Sequence, residues 1–104
     1  GVEALTPAEL QPMLTRGVQV IDVREQWEWN ICRLPGAVLV PLGELETHLN
    51  ALDRTRETVV YCHRGVRSVH GARPLVAAGF QRVAHLEGGI DRYSVEVDTT
   101  VARY

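Results

Sequence analysis

No stretch of this sequence approaches the roughly 20 consecutive apolar residues that a membrane-spanning helix requires. The opening residues GVEALTPAEL also lack the basic cluster and apolar core of a secretory signal. The expectation is a soluble chain in the cytoplasm. The chain begins at Gly1 rather than Met, as a segment of a longer protein or the residue left by tag removal would. Net charge is small too: 11 Lys and Arg against 13 Asp and Glu give −2 at pH 7. No general pull toward nucleic acid or an anionic membrane follows, and any basic site must be local. Cysteine is sparse. Cys32 and Cys62 are the only two, which is too few for a disulfide framework, and their spacing is not a CxxC zinc or redox pair. His48, His63, His70 and His85 show no metal-ligand spacing with either cysteine, so neither a metal nor an organic cofactor is expected. No repeat or low-complexity segment is present.

What remains is a chain of 104 residues, 45% of them hydrophobic, enough for one core and one domain spanning 1–104. TPAELQPMLTRG reads as a first helix: Thr6 caps it, Pro7 suits the first helical position, Glu9 completes a capping box and Gly17 ends it, with Pro12 shortening or kinking it. VQVIDV, AVLVPL, TVVYC and RVAHLEGG read as strands. GELETHLNAL, with Leu45, Leu49 and Leu52 at helical spacing, reads as a second helix. VRSVHGARPLVAAG reads as a third, bent or restarted near Gly71 and Pro74, and IDRYSVEV as a terminal one. Strands alternating with helices predict a mostly parallel central sheet with helices on both faces, whose ligand site lies beyond the C-terminal ends of the strands. Asp22, Arg24 and Glu25 fall at that edge, and so do Cys62 to Ser68.

A thiol becomes a nucleophile as thiolate, favoured by nearby cations, backbone N–H groups or a helix N-terminus. If a strand ends at Cys62 and a helix begins near Val66 or Arg67, the residues between form a tight loop whose amides can point inward as an anion nest. Gly65 supplies the freedom for the curl. Arg64 and Arg67 add positive charge, and Ser68 can hydrogen-bond at the helix start. The bland alternative is a buried cysteine that only packs. That alternative is preferred for Cys32, which has no glycine loop beside it. Asp22 and Glu25 could act as acid or base, but pairing with arginine is the expectation.

VIDVRE, RLPGAVLVPL, VVYCHRGVRS, AAGF and HLEGGI, in this order over nearly the whole chain, resemble the rhodanese domain, a three-layer α/β sulfurtransferase module. The resemblance implies that Cys62 carries a sulfane sulfur as a persulfide, that His63, Arg64, Gly65, Val66, Arg67 and Ser68 wrap it, and that Asp22 and Arg24 brace the loop edge or help bind substrate. It further implies a donor such as thiosulfate or a persulfide-bearing protein, and a thiophilic acceptor. ICRLPGAVLVPLGEL and GGIDRYSVEVDTTVARY are similar to the C-terminal rhodanese domain of MoeB- or ThiF-type adenylyltransferase-sulfurtransferases. There the acceptor is the activated C-terminus of a ubiquitin-like sulfur carrier protein in molybdopterin, thiamine or tRNA thiolation pathways. A non-catalytic binding or regulatory module with the same fold is the alternative. A cysteine phosphatase or arsenate reductase is disfavoured because the CX5R pattern places its arginine where this chain has Ser68, Arg67 coming one residue early.

Overall fold

The β-branched runs of the sequence pair as the inner strands of one parallel sheet. The computed structural model describes residues 2–104, Gly1 lying outside the described residues. In chain order it holds β1 (Glu3–Leu5), α1 (Pro7–Leu14), β2 (Gln19–Asp22), α2 (Gln26–Ile31), β3 (Val38–Leu39), a 3-10 segment (Leu42–Ala51), β4 (Thr58–Tyr61), α3 (Arg67–Ala77), β5 (Val83–Leu86) and α4 (Gly89–Glu96). Five strands lie in the order β1-β5-β4-β2-β3, and every pairing is parallel. β2 and β4 sit inside the sheet with all four of their residues buried, as strands covered on both faces should be.

Alternation along the strands divides the core in two. Ile21, Val23, Val60 and Cys62 face Leu45 of the 3-10 segment and Ala72 and Leu75 of α3. Val20, Val59, Tyr61 and Leu86 face Leu10 of α1 and Ile90 and Tyr93 of α4. All strands therefore end on one edge, and β4, near the middle of the sheet, delivers Cys62 to that edge.

Four details depart from the sequence reading. GELETHLNAL forms a 3-10 segment rather than an α-helix. Its Glu44 carbonyl, which an α-turn would give to the His48 N–H, accepts instead from Thr47 Oγ1 and contacts His48 Nδ1, each at 2.8 Å. α3 runs unbroken through Gly71 and Pro74. Gly71 lets the helix lie close on the sheet: a Cβ there would meet Val23 Cγ1 at 3.2 Å and Val60 Cγ1 at 3.4 Å. β1 and α2 are additional elements, three and six residues long, too short for hydrophobic periodicity to announce them.

Candidate active site

At the end of β4 the chain turns sharply. Cys62 is 1% exposed, and three residues on, Gly65 adopts φ +97°, open to glycine and strained for other residues. The curl and the start of α3 bring two backbone donors onto the sulfur: the Gly65 N–H at 3.2 Å and the Ser68 N–H at 3.3 Å from Cys62 Sγ. The first turn of α3 thus points one of its unsatisfied amides, that of Ser68, at the sulfur. Ser68, fully buried, contacts His85 Nδ1 of β5 through its Oγ at 3.1 Å, which fixes its rotamer beneath the loop. Val66 is 70% exposed, and Arg64, also exposed, forms no ion pair among the described residues.

The corner between β5 and α4 clamps the loop from the other side. The Ile90 N–H donates to the Cys62 carbonyl at 2.9 Å and the Asp91 N–H to the His63 carbonyl at 3.0 Å. Both donors lie in the first turn of α4, where amides lack intrahelical acceptors. So close an approach requires glycine: a Cβ on Gly89 (φ +65°) would run into the His63 carbonyl, and one on Gly65 would lie 3.0 Å from the Gly88 nitrogen.

Arg67 does not face the sulfur as a free cation. It opens α3 and donates both guanidinium arms to Glu28 of α2, at 2.6 and 2.8 Å. Burial pushes the Glu28 carboxyl up, but hydrogen bonds from Arg67, Tyr104 and the Glu25 amide outweigh it and hold it at about 2. The bond to Glu28 likewise raises Arg67 above its ordinary value, against the pull of burial.

Asp22 and Arg24 are both 0% exposed, so of the two roles expected of them, bracing the loop edge or helping to bind substrate, their burial fits bracing and leaves neither a surface to offer a substrate. They brace. Arg24 grips Asp22 through Nε and Nη2, the latter at 2.7 Å, and donates to the Cys32 carbonyl at 2.6 Å and to the Tyr104 hydroxyl at 2.8 Å. Tyr61 donates at 2.8 Å to Asp22 Oδ2, the oxygen that Arg24 Nη2 also holds. Every charge here is paired, as burial demands. Cys32 is half-buried against this cluster, its sulfur 3.8 Å from Arg24 Nη1. Glu25 stands exposed at the N-cap of α2.

His63 lies flat under Tyr104, ring centroids 3.9 Å apart and planes 9° from parallel. Burial, and then Arg64, lower its pKa, against the raising influence of Asp91, the Tyr104 backbone and Glu28. Four contributing residues escape the sequence reading. Glu28 had one local signal, a lone carboxylate between two tryptophans. Gly88 and Gly89 had another, a double glycine directly after a strand. Tyr104 had none.

Residues 6–96 match the Rhodanese-like domain family. The chain belongs to that family. It is 35% identical over 104 residues to a Mycobacterium tuberculosis protein named probable adenylyltransferase/sulfurtransferase MoeZ, covering 96% of this chain but 26% of that relative. It is 28% identical to thiosulfate sulfurtransferase GlpE of Coxiella burnetii, over 84% of this chain and 81% of that one. Among solved structures it superposes on a rhodanese-like domain protein from Staphylococcus aureus with a TM-score of 0.84, at 27% identity and 99% coverage of both chains. The three-layer parallel α/β fold is thus that of rhodanese-like domains, and relatives of this chain bear the names sulfurtransferase and sulfur carrier protein.

Proposed function

We propose that this domain is a sulfurtransferase that carries sulfane sulfur as a persulfide on Cys62. The observation that carries the reading is the convergence of the Gly65 and Ser68 amides on Cys62 Sγ at the N-terminus of α3. Fixed N–H dipoles at that point favour negative charge on sulfur, in the thiolate and again in the persulfide.

In the forward step the Cys62 thiolate attacks the outer sulfur of thiosulfate. The Cys62 S–S bond forms as the thiosulfate S–S bond breaks, and sulfite leaves with the electron pair. A persulfide-bearing protein would donate in the same way, its thiolate leaving. In the return step an acceptor nucleophile attacks the outer sulfur and the Cys62 thiolate departs. Transfer from thiosulfate to such a nucleophile involves no net oxidation, so that cycle needs no redox partner. Arg64, exposed and without an ion pair among the described residues, is the cation available to an anionic donor. The kinship with MoeZ supports a protein acceptor, the adenylated C-terminus of a ubiquitin-like sulfur carrier, with an adenylyltransferase domain as the activating partner. There the roles reverse, the terminal persulfide sulfur attacking the acyl carbonyl as AMP leaves. A second thiol then attacks Cys62 Sγ, releases the thiocarboxylate and is left in a disulfide with Cys62 that a further thiol reduces.

The test is the intact mass of the protein after incubation with thiosulfate. The expected result is the gain of one sulfur atom, abolished in Cys62→Ala, retained in Cys32→Ala and lost again on adding cyanide. No gain from thiosulfate or from a low-molecular-weight persulfide would favour a non-catalytic binding module.

A further inference from the structure

Outside the cysteine loop, Tyr104, in the tail after α4, is the side chain at this edge of the sheet that joins His63 to Glu28, the partner of Arg67. The tail is itself fastened. Ser94 Oγ donates to the Val101 carbonyl at 2.6 Å, and Arg103 pairs with Asp91 at 2.9 Å. Tyr104 then donates its hydroxyl proton to Glu28 Oε2 at 2.6 Å while accepting from Arg24 Nη1 at 2.8 Å. Its ring covers His63 and meets Trp27 edge-on at 5.8 Å. It therefore touches the first residue of the loop directly and reaches Arg67, at the far end, through one carboxylate.

We propose that Tyr104 is a positioning residue of the Cys62 site, holding His63 and Arg67 at a fixed separation and so setting the curl that aims the Gly65 and Ser68 amides at the sulfur. The middle of the loop offers little restraint of its own. Arg64 and Val66 project into solvent, and Gly65 is the residue type with the widest conformational freedom. The ends must supply the order. Oε2 of Glu28 is shared between Arg67 Nη2, at 2.8 Å, and the Tyr104 hydroxyl, so the carboxylate that orients Arg67 is itself oriented by Tyr104. Burial, and then donation to Glu28, raise the pKa of the hydroxyl, which keeps its proton in place at neutral pH.

The proposal rests on Cys62 as the sulfur carrier, but its test reads the loop independently. Tyr104→Phe keeps the stack and removes the hydroxyl; Tyr104→Ala removes both. Three quantities are measured in the full chain at 25 °C: the amide resonances of Gly65 and Ser68, the rate of Cys62 alkylation by iodoacetamide, and the rate of sulfur loading from thiosulfate. Tyr104→Phe is expected to displace both amides, change the alkylation rate and slow loading about tenfold, as it removes the hydroxyl's two charge-assisted bonds, to Glu28 and from Arg24. In a Glu28→Gln background the same change should add less than about twofold, because the two act in series. Variants with a lowered melting temperature but unmoved amides and wild-type alkylation and loading rates would overturn the proposal. If the wild type itself takes up no sulfur, the sulfurtransferase reading fails, while the amides and the alkylation rate still decide the role of Tyr104.

Discussion

Arg67 places both guanidinium arms on Glu28, at 2.6 and 2.8 Å, so the charge at the far end of the cysteine loop is neutralised inside the protein. Its neighbour Arg64 carries the loop's only unpaired guanidinium among the described residues. The two arginines, alike in sequence, thereby divide into a structural cation and an outward-facing one.

This division separates two substitutions. Arg64→Ala should leave the melting temperature within about 2 °C, as an exposed substitution does. It should raise the KM for thiosulfate several-fold and weaken the salt dependence of loading. Arg67→Ala should instead destabilise by about 2–3 kcal/mol, because it strands a buried carboxylate. Denaturant unfolding together with loading kinetics on both variants checks the pair, and equal stability losses would refute the division.

The same ion pair sets an acid limit. The Glu28 carboxyl is held at about 2, below its ordinary 4.5. A depressed carboxyl stabilises the fold fully above its unfolded value and loses that contribution as pH falls from about 4.5 through about 2. Glu28→Gln should flatten this part of the stability profile, as measured by urea unfolding at stepwise lower pH.

A second window lies higher. Burial lowers the pKa values of both His63 and His85. Arg64 acts in the same direction on His63, while Asp91, the Tyr104 backbone and Glu28 oppose it; Glu87 opposes the shift at His85. Below about pH 6.5 the unfolded chain therefore takes up protons that the folded chain resists, and stability declines as pH falls through that value. His63→Gln and His85→Gln should each reduce the difference in unfolding free energy between about pH 7.5 and 5.5. An unchanged difference in the double variant would assign the effect to other groups.

Glycine at 65 and at 89 is demanded by geometry. Gly65→Ala meets both a positive φ and a backbone nitrogen at 3.0 Å, and should cost about 1–2 kcal/mol with slowed loading. Gly89→Ala must push the His63 carbonyl aside. It should lower the melting temperature further and abolish loading, since that carbonyl belongs to the loop itself. Thermal unfolding and intact-mass loading measure both.

Arg24→Lys tests bracing against substrate contact. Lysine cannot reproduce the paired grip on Asp22 or reach the Cys32 carbonyl and Tyr104 at once, so a loss of about 3 kcal/mol is expected. The KM for thiosulfate should stay unchanged in the folded fraction, whereas a raised KM would restore a role in binding.

What could be read from the sequence was local. The Thr6–Glu9 capping box, the turn at Gly65 and the start of α3 each depend on residues a few positions apart, and each forms. The contacts that complete the site join residues far apart in sequence. Arg67 and Glu28 lie 39 positions apart and Tyr104 and Glu28 lie 76 apart, and no periodicity links such pairs. α2 carries Glu28 on six residues, fewer than two helical turns, and so offers no stripe to recognise. The 3-10 segment shows the reverse error. Its leucines recur at helical spacing, yet Thr47 and His48 side chains occupy the Glu44 carbonyl and draw the backbone into the tighter turn.

The clamp between the corner at Gly89 and the Cys62 loop also ties reactivity to the order of assembly. The Cys62 and His63 carbonyls are held by amides of Ile90 and Asp91, which arrive only when β5 has joined β4 and α4 has begun. A chain caught before that step carries its thiol in a loop that the α4 amides do not yet hold. With Cys62 as the proposed sulfur carrier, the persulfide content of a preparation would then count its completed molecules.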